Sequence, residues 1–159
     1  MRVLGFDPGT ATTGYGVVEN AGSRLLYVAH GTIATPAHTA FETRLLHIHT
    51  EARRLIHEYA PAAIAIEKLF FKQNVTTGIS VAQARGVLAL AAAQEGLPIY
   101  EFAPTEVKTA VTGYGKADKR QVQDMIKILL NLEKAPRPDD AADALALAIC
   151  AIHAIPRTR

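Results

Sequence analysis

Leu4-Gly5-Phe6-Asp7-Pro8-Gly9-Thr10 places an acidic residue at the end of a short apolar run, with a glycine turn directly behind it. A lone charge in apolar surroundings is costly unless it is paired or holds a metal. Two distant parts of the chain repeat the pattern. Glu67 closes Ala62-Ala63-Ile64-Ala65-Ile66, and Asp140 and Asp143 stand three apart after Pro138, at the head of an alanine-rich stretch. One strand end, a second strand end and a helix start are therefore expected to converge on divalent cations.

Outward from that stretch, residues 2–7, 13–20 and 24–34 are short, β-branched or aromatic, and divided by glycine-bearing turns. They predict an antiparallel meander. From Phe41 to Tyr59 the apolar positions Phe41, Leu45, Ile48, Ala52, Leu55, Ile56 and Tyr59 recur every three to four residues, and Pro61 ends the segment. This spacing predicts an amphipathic helix. A strand over 62–67, a helix over 75–95 closed by Gly96 and a strand over 97–103 follow. Strands alternating with helices imply parallel crossovers. The remainder reads as a short helix over 104–112, a glycine-bearing loop over 113–117, a helix over 118–130 and a last helix over 139–154.

No internal repeat, linker or low-complexity tract interrupts the chain, so residues 1–159 are expected to form one α/β domain. A three-stranded meander plus two parallel crossovers is the ribonuclease-H-like arrangement, a five-stranded mixed sheet flanked by helices. In it the first and fourth strands lie side by side and bring Asp7 to Glu67. The terminal helix then packs across the sheet and delivers Asp140 and Asp143, which share a helical face. Asp139, four before Asp143, is able to share that face too, so spacing alone leaves Asp139 and Asp140 as alternatives.

Composition narrows the function classes. With 49% apolar residues the chain can bury a sizeable core. Cys150 is the single cysteine, so disulfides and cysteine-based zinc sites are excluded, in keeping with a reducing cytoplasm. Met1-Arg2 leads straight into the first strand without a leader, and no run reaches the ~18 apolar residues of a membrane span, so a cytoplasmic protein without a membrane partner is expected. The net charge of +2 conceals an asymmetry: setting aside Asp7, Glu67, Asp140 and Asp143 leaves 11 acids against 17 Lys plus Arg. Basic surface around an acidic pocket suits a phosphate polymer. The six histidines form no ligand cluster, so zinc is not expected.

Four ordered motifs carry a resemblance. They are Gly5-Phe6-Asp7-Pro8-Gly9 with Thr13-Gly14-Tyr15-Gly16, Ala65-Ile66-Glu67-Lys68-Leu69-Phe70-Phe71, Ala82-Gln83-Ala84-Arg85-Gly86, and Asp140-Ala141-Ala142-Asp143-Ala144-Leu145-Ala146. Over essentially its whole length the chain resembles the RuvC family of Holliday junction resolvases. The resemblance places the catalytic, metal-holding acids on Asp7, Glu67, Asp140 and Asp143, and leaves Asp139 as an extra carboxylate. It implies basic residues near the scissile strand at Lys108 and Lys119, and a junction-core aromatic at Phe70. It further implies a homodimer packed through the helix around Gly78 to Ala93, a four-way junction substrate and a branch-migration complex as partner. Two Mg²⁺ per site, replaceable by Mn²⁺, suit such an oxygen donor set.

Duller readings compete at several positions. Phe70-Phe71 at a strand end also suits core packing; as a DNA contact, Phe70 would stack on an unpaired base while Lys72 and Gln73 meet phosphates. Lys116, Lys119 and Arg120 around a glycine loop suit a solvated turn, or phosphate contact with Lys119 also offsetting charge on the scissile phosphate. Lys68 sets a cation directly after Glu67. A junction-binding protein without catalysis, and an actin-like nucleotide-binding domain suggested by Asp7-Pro8-Gly9-Thr10, are the alternative functions.

Overall fold

The computed structural model describes residues 1–70 and 75–156. Its elements are β1 (Arg2–Asp7), β2 (Thr12–Ala21), β3 (Arg24–Ala34), α1 (Phe41–Tyr59), β4 (Ala63–Glu67), α2 (Val75–Gln94), β5 (Ile99–Phe102), α3 (Pro104–Thr112), α4 (Lys119–Leu129) and α5 (Asp139–Ala154). The strands form one mixed sheet in the order β3-β2-β1-β4-β5. β1 is antiparallel to β2 and parallel to β4, with Asp7 opposite Gly14 and Phe6 opposite Ile66. This is the expected ribonuclease-H-like sheet. β5 starts two residues later than the sequence suggests, because Pro98 has no N–H for the ladder; its carbonyl still accepts from the Ile64 N–H at 2.9 Å.

Strand alternation divides the residues between two cores. Leu4, Phe6, Val17, Ile64 and Ile66 face α1 and α2, where they pack on Ile48, Ala52, Leu55, Ala84 and Leu88. Val3, Val18, Ala63 and Ala65 face the other way, toward α3, α4 and α5. Asp7 has the parity of Val3 and Gly5, and Glu67 that of Ala63 and Ala65, so both acids close stripes of small residues beneath α5. The sheet leaves almost no side-chain volume there. A Cβ at Gly5 would overlap the carbonyl oxygen of Ala144, and one at Gly14 would overlap the carbonyl oxygen of Asp140. The helix backbone lies directly on the strands.

α2, with 20 residues, is long and apolar enough to cross a membrane by length and composition alone. In the structure it packs on α1 through Ala84, Leu88, Ala91 and Ala92 and pairs Arg85 with Glu101 of β5. It is a helix of the fold, one face of which carries the exposed Val75, Ile79 and Leu90.

Because nothing but backbone lies across from Gly5, Gly5→Ala is expected to lift α5 from the sheet. Overpacking costs about 1 to 3 kcal/mol where flexible side chains can yield, and a rigid helix backbone puts this substitution at about 3 kcal/mol or above. Urea unfolding checks it, with no loss of stability as the contrary result.

Candidate active site

The turn after Asp7 is tied down by Thr13, whose Oγ1 donates to the Gly9 carbonyl at 2.7 Å. Thr35 donates to the Thr10 carbonyl and accepts from Arg44 Nε at 2.9 Å. Asp140 lies in the first turn of α5 with its backbone against Gly14, and Asp143 follows on the same face. Carboxylate oxygens of Asp7, Asp140 and Asp143 all fall within 4.8 Å of one another. Glu67 stands apart from that cluster, on the wall of an adjoining cleft of about 250 Å³ that it lines with Asp7, Asp143, Lys108 and Lys119. The four acids expected from the sequence do converge, three as a tight group and Glu67 on the wall of the cleft that Asp7 and Asp143 also line.

Electrostatics show what the cluster lacks. Burial pushes Asp7 from 3.8 up to about 8, and the charges of Asp143, Asp140 and Glu67 add to the effect. Burial and Asp143 raise Glu67, with Lys108 opposing. Asp143 is also raised, by burial first, although Lys119 pulls it down. Carboxylates held this way repel one another and call for positive charge. All the donors are hard oxygens, and the described residues nearby offer neither Cys nor His. Such a set fits a divalent cation of the Mg²⁺ or Mn²⁺ type.

Lys119 supplies part of that charge. Asp118 caps α4, its Oδ1 accepting from the Gln121 N–H at 2.9 Å while Gln121 Oε1 accepts from the Asp118 N–H at 2.8 Å. This reciprocal cap sets Lys119 at the first helical position. Its Nζ reaches Asp143 Oδ2 at 3.4 Å and Asp139 Oδ2 at 3.3 Å. Burial lowers the affinity of Lys119 for its proton, yet Asp143 and Asp139 outweigh it and hold the ammonium above its ordinary range.

The other sequence candidates separate. Asp139 stays out of the acid cluster and accepts from Gln123 Nε2 and Arg137 Nη1, each at 3.0 Å. Gln123 hydrogen-bonding and Lys119 keep it below the usual carboxylate range. Lys68 turns to Glu106 at 3.6 Å, so the cation after Glu67 does not enter the cleft. Lys108 lines the cleft; Lys116 is exposed and does not. Arg120 is 91% exposed and leans toward Asp124 at 3.9 Å. Phe70 is 55% exposed, which removes it from the core, while Lys72 and Gln73 lie outside the described residues. Gln123 and Arg137 were missed by the sequence reading. Gln123 left a signal, a polar residue between Val122 and Ile126 on the apolar face of α4, whereas Arg137 left none.

Comparison with known proteins agrees with this geometry. The family model for crossover junction endodeoxyribonuclease RuvC matches residues 3–151. A RuvC of Heliobacterium modesticaldum is 53% identical over 155 residues, 98% of this chain and 96% of the relative. One from Rubrobacter xylanophilus is 55% identical over 148 residues, 93% of this chain and 83% of the relative. The structure of Thermus thermophilus RuvC in complex with Holliday junction substrate superposes with a TM-score of 0.92 at 35% identity, covering 97% of this chain and 94% of that one. A yeast mitochondrial Holliday junction resolvase, 15% identical with a TM-score of 0.67, covers 93% of this chain and 77% of its own, and shares the fold. From the acid cluster, the sheet beneath it and these matches together, the chain belongs to the RuvC family of crossover junction endodeoxyribonucleases.

Proposed function

We propose that this protein resolves Holliday junctions in DNA recombination and repair, hydrolysing phosphodiesters symmetrically in opposed strands with Mg²⁺ held by Asp7, Glu67, Asp140 and Asp143. The observation that carries the reading is the convergence of Asp7, Asp140 and Asp143 oxygens within 4.8 Å on a largely buried base. Two bound Mg²⁺ ions, or Mn²⁺ in their place, would supply an activated water and stabilise the departing oxygen. Asp7, coupled electrostatically to Glu67 and to both α5 acids, would hold the ions in common with those residues. Lys119 faces the scissile phosphate and offsets its charge, with Lys108 beside it on the cleft wall.

The remaining candidates bind rather than react. Phe70, exposed beyond β4, stacks on a base unpaired at the crossover, and Lys72, two positions on in the sequence, meets phosphate. Lys116 and Arg120, outside the cleft, serve the backbone of a DNA arm. Symmetric cutting needs two sites, and a two-fold dimer over the exposed Val75, Ile79 and Leu90 face of α2 provides them. The chain acts in this reading as a single cytoplasmic nuclease domain, alongside a branch-migration complex that holds the junction open.

On a synthetic mobile four-way junction, paired nicks are expected with Mg²⁺ and none with EDTA or on linear duplex. Asp7→Asn is expected to lower the rate by more than about 100-fold, since even groups that merely orient metal ligands cost 10- to 100-fold. Phe70→Ala in the same assay should cut about ten-fold more slowly with its unfolding midpoint unchanged, as loss of one stacked base implies. Junction binding without cutting by the unsubstituted protein would point to a non-catalytic binder.

Thermal unfolding tests the metal site independently. An acid whose folded pKa is raised stabilises the fold at low pH and loses that contribution as pH rises toward the folded value. For Asp7 that window runs from about 4 to about 8. A cation takes the place of the proton, so Mg²⁺ should raise Tm more at about pH 8.5 than at about pH 6. Equal shifts at both values would contradict Asp7 as a ligand.

Sedimentation at micromolar concentration should give the dimer mass, and Ile79→Glu the monomer mass. A monomer in both would exclude α2 as the interface.

A further inference from the structure

Asp139 is the one carboxylate at the head of α5 that the metal site does not absorb. Its Oδ1 accepts two hydrogen bonds, from Gln123 Nε2 and Arg137 Nη1, both at 3.0 Å. These donors fix the carboxylate and leave Oδ2 to Lys119 Nζ at 3.3 Å. Both supports are themselves held. Gln123 is 5% exposed on the inner face of α4. The carbonyl of Arg137 sits 3.1 Å from His30 Nε2, and because a carbonyl only accepts, that nitrogen carries the hydrogen. The Asp139 carboxylate is thus braced from α4, from β3 and from its own loop.

Asp143, the other partner of the ammonium at 3.4 Å, belongs to the acid cluster and Asp139 does not. An oxygen of Asp143 that holds a cation is no longer free for Lys119, whereas the Asp139 oxygen stays available. Resting on the nuclease reading above, we propose that Asp139 is a positioning residue which keeps the Lys119 ammonium at the cleft, and is not a fifth metal ligand. It acts through Lys119 and touches neither the cation nor the DNA.

Two readouts separate these roles. Calorimetric titration of Mn²⁺ into the full chain without DNA is expected to give Asp139→Asn an affinity within about three-fold of the unsubstituted protein. Asp140→Asn should lose more than about ten-fold in the same titration. Single-turnover cleavage of a four-way junction at saturating metal is expected to fall about ten-fold in Asp139→Asn. The double variant Asp139→Asn, Lys119→Ala should be no slower than Lys119→Ala alone, because groups acting as one unit are not additive. Mn²⁺ affinity lost to the extent seen in Asp140→Asn would make Asp139 a ligand and overturn the proposal. Additive rate losses, or full-rate cleavage by Asp139→Asn, would also overturn it. Asp7→Asn in the same cleavage assay keeps the two readings apart: if it cuts normally the nuclease site itself fails, and if it is inactive while Asp139→Asn cuts normally only the positioning role fails.

Discussion

The contact on which the rest of the molecule depends is that of the α5 backbone with the glycines of β1 and β2. Helices usually pack on sheets through interdigitated side chains. Here Gly5 and Gly14 remove the side chains from one surface, and Ala141, Ala144 and Ala148 keep them small on the other. The helix comes close enough for its first turn to reach the end of β1. Asp140 lies over Gly14, which pairs with Asp7, so the same contact that builds the core gathers the acids.

That gathering works against stability in the absence of a cation. Asp7 lies at the foot of the site, with Asp143, Asp140 and Glu67 all opposing its ionisation. The chain answers with Lys119 at Asp143 and Lys108 on the cleft wall, and diverts Lys68 to Glu106. The remaining deficit of positive charge is one that divalent metal would suit. Fold energy supplied by the large residues facing α1 and α2, Leu4, Phe6, Ile64 and Ile66 among them, sustains the crowded acids on the opposite side.

The two faces of the sheet therefore do different work. One is a conventional apolar core of branched and aromatic side chains against two long helices. The other trades side-chain volume for closeness, and its small residues end in the two strand-borne acids. A single alternation along β1, from Val3 through Gly5 to Asp7 on one side and from Leu4 to Phe6 on the other, writes both roles into six residues.

Much of this was legible in the chain itself. Strand and helix periods, Pro61 and Gly96 are local properties, and they placed every element to within about two residues. Acids at the ends of apolar runs are local as well, which is why Asp7 and Glu67 stood out without coordinates. The choice between Asp139 and Asp140 was not local. Positions three and four apart share a helical face equally well, and only the seating of α5 on Gly14 turns Asp140 to the cluster and Asp139 to Lys119. Likewise, composition and spacing did not separate Lys108 and Lys119, which line the cleft, from Lys116 and Arg120, which do not, because where a long side chain ends depends on what surrounds it. Sequence by itself determined the elements and the chemistry they carry; tertiary packing decided which groups meet, because meeting depends on the rotation and depth of one helix over a glycine-bared sheet.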